Sequence, residues 1–302
     1  MTPLRITGAI ILAHILTGTA SVATRYLVAW LDPVEIVCLR YLFGSIVIGL
    51  AYMIFRRGTA KQAYFLKSLG LGILFFAIFP LLFTISFTYT TAARGALVIA
   101  TMPVWAMLIG HFTRHESMTP RLVISVLLTF SGLALALSDR LALSTGSLTA
   151  IKGELIMLAA AMVGAIYSIL AKKSMKSVNP LTYTPIMMAA GWLFLSPWAL
   201  DANLAQKISE LSATQVLAVI YLGCLAGGLA FFLFNWVLHH ATATYATLFV
   251  PLNPLTAIFL GWLLLGESLQ INFLLGSAIV FSGLIIARTT LKKATNNSSG
   301  MR

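Results

Sequence analysis

The sequence predicts an all-α integral membrane protein of ten transmembrane helices, arranged as two inverted five-helix repeats. Three observations predict it. First, 59% of the 302 residues are apolar and only 9% are charged, where a soluble domain carries about 25% charge. Second, the apolar residues fall in long runs separated by short basic clusters. Third, one motif occurs twice, 151 residues apart: Glu116-Ser117 with Phe130-Ser131-Gly132-Leu133, and Glu267-Ser268 with Phe281-Ser282-Gly283-Leu284. At the same offset Thr91-Ala92 matches Thr242-Ala243, Pro103 matches Pro254, Ala106 matches Ala257 and Gly110 matches Gly261.

A membrane span needs about 20 predominantly apolar residues. The first expected span, 6–24, ends at Arg25. The second, 34–55, opens behind Asp32-Pro33, a capping side chain followed by a proline suited to a first helical turn. The third covers 68–89, and Arg94 opens the fourth at 93–112. Thr119-Pro120 and Asn179-Pro180 mark the starts of the fifth (121–138) and seventh (180–200) in the same way, with the sixth (153–171) between them. The stretch Leu211 to Gly266 holds no Asp, Glu, Lys or Arg and is too long for one span. Division near His239-His240 gives an eighth at 212–235 and a ninth at 244–264. The tenth covers 270–288, and the polar tail 291–302 is expected to be cytoplasmic and disordered. The repeats are assigned to 1–140 and 150–290.

Fourteen Lys and Arg residues fall on one set of alternate loops and five on the other, while Arg40 lies inside a span. By the positive-inside rule both termini are cytoplasmic, which requires an even number of spans. Five helices per half is an odd number, so the halves run in opposite directions, with a site expected near the midplane. The net charge of +12 is distributed as a topology signal, not as a nucleic-acid footprint. Cys38 and Cys224 lie in apolar segments and read as free thiols. No cleavable signal peptide is evident, and no phosphate-binding loop or cofactor motif is present.

These residues resemble the EamA-type members of the drug/metabolite transporter superfamily. The resemblance rests on Tyr89-Thr90-Thr91-Ala92, Pro103, Glu116 and Gly132, repeated as Ala241-Thr242-Ala243, Pro254, Glu267 and Gly283. It extends to Arg25 and Lys172 ending the first helix of each half, Pro33 and Pro180 opening the second, and Arg40. Where the family often has tryptophan-glycine in the first helix, this chain has Thr17-Gly18. The resemblance implies a ten-helix carrier that exports or exchanges small metabolites by alternating access, in the inner (plasma) membrane of a bacterium, as a monomer or weak homodimer. Amino acids or similar zwitterions are the favoured substrates. A channel-like facilitator is the alternative, followed by a membrane-embedded enzyme.

The polar residues inside the expected spans are few. His14 is either a proton site or a neutral histidine bonded to a neighbouring helix. Arg40 either clamps a substrate carboxylate or phosphate, or pairs with Glu35 or helix-end carbonyls. Tyr89, Trp105, Tyr167, Trp192, Asn235, Trp236, Tyr245 and Asn253 are candidates to line the cavity, with interfacial belts as the other reading of the Trp and Tyr residues. Glu116 and Glu267, both assigned to the cytoplasmic side, are either helix caps or latches at the inner mouth. Pro103, Pro251 and Pro254 mark the fourth and ninth helices as irregular and as candidates for gating.

Overall fold

A computed structural model describes residues 3–55, 62–112, 120–138, 151–175, 179–199, 204–240 and 252–299. Among them the regular structure is entirely helical. In chain order the helices are α1 (Pro3–Leu27), α2 (Pro33–Phe55), α3 (Gln62–Ile73), α4 (Phe79–Ser86), α5 (Ala92–Ile99), α6 (Met102–Phe112) and α7 (Pro120–Ala136). Then come α8 (Lys152–Met175), α9 (Pro180–Ala199), α10 (Leu204–Glu210), α11 (Ala213–Gly223), α12 (Ala230–His240), α13 (Leu252–Leu265) and α14 (Ile271–Ser299). Leu4–Leu27, Pro33–Phe55, Phe65–Ser86 and Ala213–Val237 are long and apolar enough to cross a membrane. Four shorter apolar helices are also present.

The ends are built as the local sequence demands. At the start of α2 the Glu35 carboxylate accepts the Asp32 N–H at 2.8 Å. At the start of α9 the Asn179 side-chain oxygen accepts the Leu181 N–H at 2.9 Å. Thr91 caps α5, and Ser212 with Gln215 forms a reciprocal capping box on α11. Between α13 and α14 the chain turns at Gly266, whose φ of 64° suits a residue without Cβ. The last helix continues to Ser299, through the segment that its polar composition marked as disordered.

Two helices deviate from α geometry at matching places. A π-helical turn, Leu74–Ile78, joins α3 to α4, and another, Cys224–Leu229, joins α11 to α12. In the first, the Phe79 N–H reaches back five residues to the Leu74 carbonyl. In the second, the Ala230 N–H does the same to Leu225. These two bonds are 151 residues apart, the offset of the duplicated motif. In the first copy Pro80 has no N–H to offer the preceding turn and its ring crowds that turn's carbonyl, and the widened turn absorbs both effects. The expected fourth span is also broken: α5 stops at Ile99 and α6 starts at Met102, with Pro103 in its first turn.

The principal packing pairs are α7 with α14, α2 with α9, and α1 with α12 and α13. Helix α8 packs on α4, α5 and α6, while α3 packs on α9, α11 on α2, and α5 on α13. The glycine of the duplicated Phe-Ser-Gly motif makes the α7–α14 crossing. A Cβ on Gly132 would sit 2.8 Å from the Gly276 carbonyl, and one on Gly283 would sit 2.6 Å from Thr129. Small residues let membrane helices approach until backbones touch.

Candidate functional site

Arg40 is a charged side chain buried among these helices. It projects from α2 and is 4% exposed. One guanidinium nitrogen donates to the Ala226 carbonyl, at 3.2 Å, in the second π turn. The guanidinium carbon lies 5.5 Å from the centre of the Tyr41 ring and 5.9 Å from that of Phe231. The Nε–H is buried with no hydrogen-bond partner among the described residues. Gly227 leaves the room it occupies, since a Cβ there would lie 3.3 Å from Nε.

The expected pairing with Glu35 is not made, because a nearer cation takes that carboxylate. Lys207, on the short helix α10, binds Glu35 at 2.8 Å and Asp32 at 2.8 Å. Those bonds, first to Asp32 and then to Glu35, hold the Lys207 ammonium above its ordinary pKa. The carbonyl that Arg40 does meet, Ala226, is not at a helix end as expected but in the π turn within the Ala213–Val237 span.

An aromatic cluster surrounds the arginine. The Tyr167 ring stacks on Phe75 with centroids 3.8 Å apart, and Tyr41 meets Phe76 edge-on at 5.1 Å. Phe231 meets Phe75 and Phe76 edge-on. Trp192 packs against the same cluster and faces Cys38. Phe75 and Phe76 come from the first π turn, Phe231 from just after the second. These phenylalanines and Tyr41 are not among the residues that the sequence pattern singles out. The signal available was an aromatic run, Phe75-Phe76, four residues ahead of a proline in a helix.

The other candidates fall in three places. His14, on α1, meets Phe234 edge-on at 6.1 Å, and Asn235 on the same helix as Phe234 donates to Thr184 at 3.0 Å. Trp236 packs beside Ile10 and Val237. Asn253 donates to Thr17 at 3.2 Å, and Gly18 brings α1 against the Asn253 carbonyl. Thr17-Gly18 therefore forms the α1–α13 contact where the family often has tryptophan-glycine. Trp105 is apart from the arginine cluster, edge-on to Phe130 at 5.4 Å, with its indole N–H unpartnered among the described residues. Tyr89 is at a bundle end, 45% exposed, with the Lys152 ammonium 4.2 Å from its ring centre. That ammonium pulls the Tyr89 pKa below its ordinary value. Glu116, Tyr245 and Pro251 lie outside the described residues. Pro254 is buried in the first turn of α13, where its missing N–H leaves no gap in the helix.

Glu267 requires a correction. It was assigned to the same face as Glu116, but it lies at the bundle end that holds Tyr89, Lys152 and Lys207. Its carboxylate accepts the Ala92 N–H at 2.6 Å and the Ala93 N–H at 2.9 Å. It caps the helix of the opposite half rather than its own, and among the described residues it forms no ion pair with a Lys or Arg.

The EamA-like transporter family matches the chain over residues 5–138 and again over 151–289. This chain belongs to that family. An uncharacterized transporter of Archaeoglobus fulgidus is 28% identical over 266 residues, covering 87% of this chain and 89% of the relative. The uncharacterized transporter YoaV of Bacillus subtilis is 24% identical over 291 residues, covering 94% of this chain and 97% of its own. A solved crystal structure of 19% identity shares the fold with a TM-score of 0.66, over 94% of this chain and 95% of that one. The EamA-like chain is thus an integral membrane transporter, not an enzyme, and it acts on a small molecule across a lipid bilayer.

Proposed function

We propose that this transporter is a ten-helix secondary carrier built from two inverted five-helix repeats. It exports or exchanges small polar or amphiphilic metabolites, amino acids or similar zwitterions above all, by alternating access in a bacterial inner membrane with both termini cytoplasmic. It acts as a monomer or weak homodimer. The observation that carries this reading is the pair of π turns at equivalent positions, one beside the buried Arg40. Irregular helices at matching places in two halves are the feature from which carriers build midplane sites. The packing pairs support the same frame. Exchanging each helix for its repeat counterpart leaves α2–α9 and α7–α14 unchanged and turns α1–α12 into α8–α4 and α3–α9 into α11–α2.

Arg40 is the proposed anchor for the substrate carboxylate. Among the described residues its partner is one neutral carbonyl and its Nε–H is free, and aromatic faces flank it for an apolar side chain. Tyr167, Trp192, His14, Asn235, Trp236 and Asn253 complete the proposed lining, together with Trp105, Tyr89 and Tyr245 along the path. Pro103, Pro251 and Pro254, on the fourth and ninth helices, are proposed gating residues together with Glu116 and Glu267.

The test is uptake and countertransport of amino acids and related carboxylates into liposomes holding the purified chain. A carrier gives saturable uptake that accelerates when the opposite side is preloaded. Unsaturated flux without countertransport identifies a channel and overturns this reading.

A further inference from the structure

Several of the duplicated residues that the arginine site does not use meet at one place. Thr91-Ala92, Gly261 and Glu267 each have a counterpart 151 residues away. In the fold they form a single junction. Gly266 turns the chain after α13, and the Glu267 N–H bonds back to the Gly261 carbonyl at 3.2 Å. This aims the Glu267 side chain across to the other half. The carboxylate lies over Gly261, where a Cβ would approach Oε2 to 2.8 Å, and straddles the first two N–H groups of α5. Thr91 caps the same helix by accepting the Arg94 N–H. Two charge-assisted bonds at a helix N-terminus, reinforced by the helix dipole, make a strong and directional tie.

The junction has company at the same bundle end. Thr90 donates to Glu154 at 2.7 Å, Lys207 binds Asp32 and Glu35, and Asn272 donates to Ser138 at 3.3 Å. Each of these contacts joins residues 1–140 to residues 150–290. All lie at loops that the charge count assigns to the outer face.

We infer that Glu267 is the latch of the outer mouth: its carboxylate locks the N-terminus of α5 to the α13–α14 turn, the conformation described is closed at that end, and release of this tie admits water and solute between the halves. The inference rests on the alternating-access reading and names the residue that governs one of its gates. A carboxylate suits a gate because the bonded groups on both sides, backbone N–H and carboxylate, are well hydrated once exposed, so opening leaves nothing buried and unpaired.

The experiment uses the full chain in proteoliposomes, with Cys38→Ala and Cys224→Ala to remove the native thiols and Ala96→Cys as the reporter. Ala96 is fully buried on α5, one turn inside the junction. The rate of labelling by a membrane-impermeant maleimide reports opening whether or not transport occurs. Glu267→Gln keeps the size of the side chain and removes its charge. Labelling of Cys at position 96 is expected to accelerate about tenfold, since a hydrogen bond to a charged group contributes roughly a tenfold or larger bias. Ala92→Pro is the second variant. It deletes one N–H at the first helical position, and Thr91 already has the extended backbone (φ −81°, ψ 161°) that a following proline requires. It is expected to act in the same direction, and the double variant to add little. Labelling unchanged in both single variants overturns the latch. Faster labelling without countertransport in any variant supports the latch and counts against the carrier. Saturable countertransport with unchanged labelling retains the carrier and discards the latch.

Discussion

Two crossings in this molecule share one backbone design and differ in what fills it. At the first, α2 lies against the π turn of 224–229. A Cβ on Gly223 would meet the Arg40 carbonyl at 3.0 Å and the Phe43 Cβ at 2.6 Å. At the second, α9 lies against the π turn of 74–78. A Cβ on Gly72 would meet the Met187 carbonyl at 2.6 Å and the Ala190 Cβ at 3.1 Å. Gly72 and Gly223 are 151 residues apart, while Arg40 and Met187, like Phe43 and Ala190, are 147 apart. Bulk is exchanged between partners. Arg40 and Phe43 face Ala226-Gly227-Gly228, whereas Met187 and Ala190 face Phe75-Phe76-Ala77. The frame therefore accepts an uncharged methionine where the other copy has a buried guanidinium. Charge at that depth is costly, and packing alone does not ask for it. This contrast is the ground on which the proposed anchoring role of Arg40 stands.

The sharpest way to break the comparison is to make the crossings alike. Arg40→Met copies its counterpart. Truncating one member of a buried charged pair costs about 2–5 kcal/mol, so carboxylate uptake per molecule is expected to fall about a hundredfold. Yield and melting temperature in detergent should hold or rise, because an apolar side chain of similar length replaces a desolvated charge. Equal loss of uptake and yield would make Arg40 a structural residue.

Overpacking tests the shared backbone. A Cβ on Gly191 would lie 2.6 Å from the Phe76 carbonyl carbon and oxygen, and one on Gly228 at 3.4 Å from Gly44 makes ordinary contact. Gly191→Ala and Gly223→Ala are each expected to cost about 1–3 kcal/mol. Gly228→Ala should be close to neutral. Thermal denaturation of the three variants ranks them, and an unshifted Gly191→Ala would mean that the helices are not in backbone contact. Asn235 and Thr184 give a smaller effect. Asn235→Leu leaves a buried hydroxyl without its partner, at about 1 kcal/mol, and adding Thr184→Val should recover part of the loss.

Much of the frame was legible in the sequence, because apolar runs and capping residues are local signals. Asn179 caps α9 as its place before Pro180 implies, whereas at α2 the cap is Glu35 and the Asp32 carboxylate turns to Lys207 instead. The π turns were not legible, since Leu74–Ile78 is as apolar as any α-helical run. Only the first has a proline beside it, Pro80; the corresponding position in the second copy is Phe231. Arg40 was singled out, but its partner was left between Glu35 and a carbonyl. The residue that decides this, Lys207, lies 172 positions away from Glu35. Glu267 was assigned to the face of Glu116 because equivalent residues were given equivalent sides. The bonds to Ala92 and Ala93 put it instead at the end where α5 begins, contacts between residues 175 and 174 positions apart. Tyr89 belonged to a repeated motif and was read as lining, yet it marks a bundle end.

The ends of the two crossings offer the finest contrast. Helix α9 starts on a neutral cap, Asn179, whereas α2 starts on Asp32 and Glu35 bridged by Lys207. Only the second is a charge device, so only it should respond to pH through a lysine. Lys207 has its pKa raised above the ordinary 10.5 by its two carboxylates. A group whose folded pKa exceeds its unfolded one contributes stability that is complete below the unfolded value and is lost as pH rises through the folded value. The melting difference between the wild type and Lys207→Gln should therefore stay constant from pH 7 to about 9.5, then shrink as Lys207 deprotonates at higher pH. The absolute difference should be small, because the bridge is exposed and screened by salt. Asn179→Ala, which removes the neutral cap, should show a difference that is flat in pH. A lysine effect that faded between pH 7 and 9 would mean that the ammonium is not held by Asp32 and Glu35, and the contrast between the two helix starts would fail.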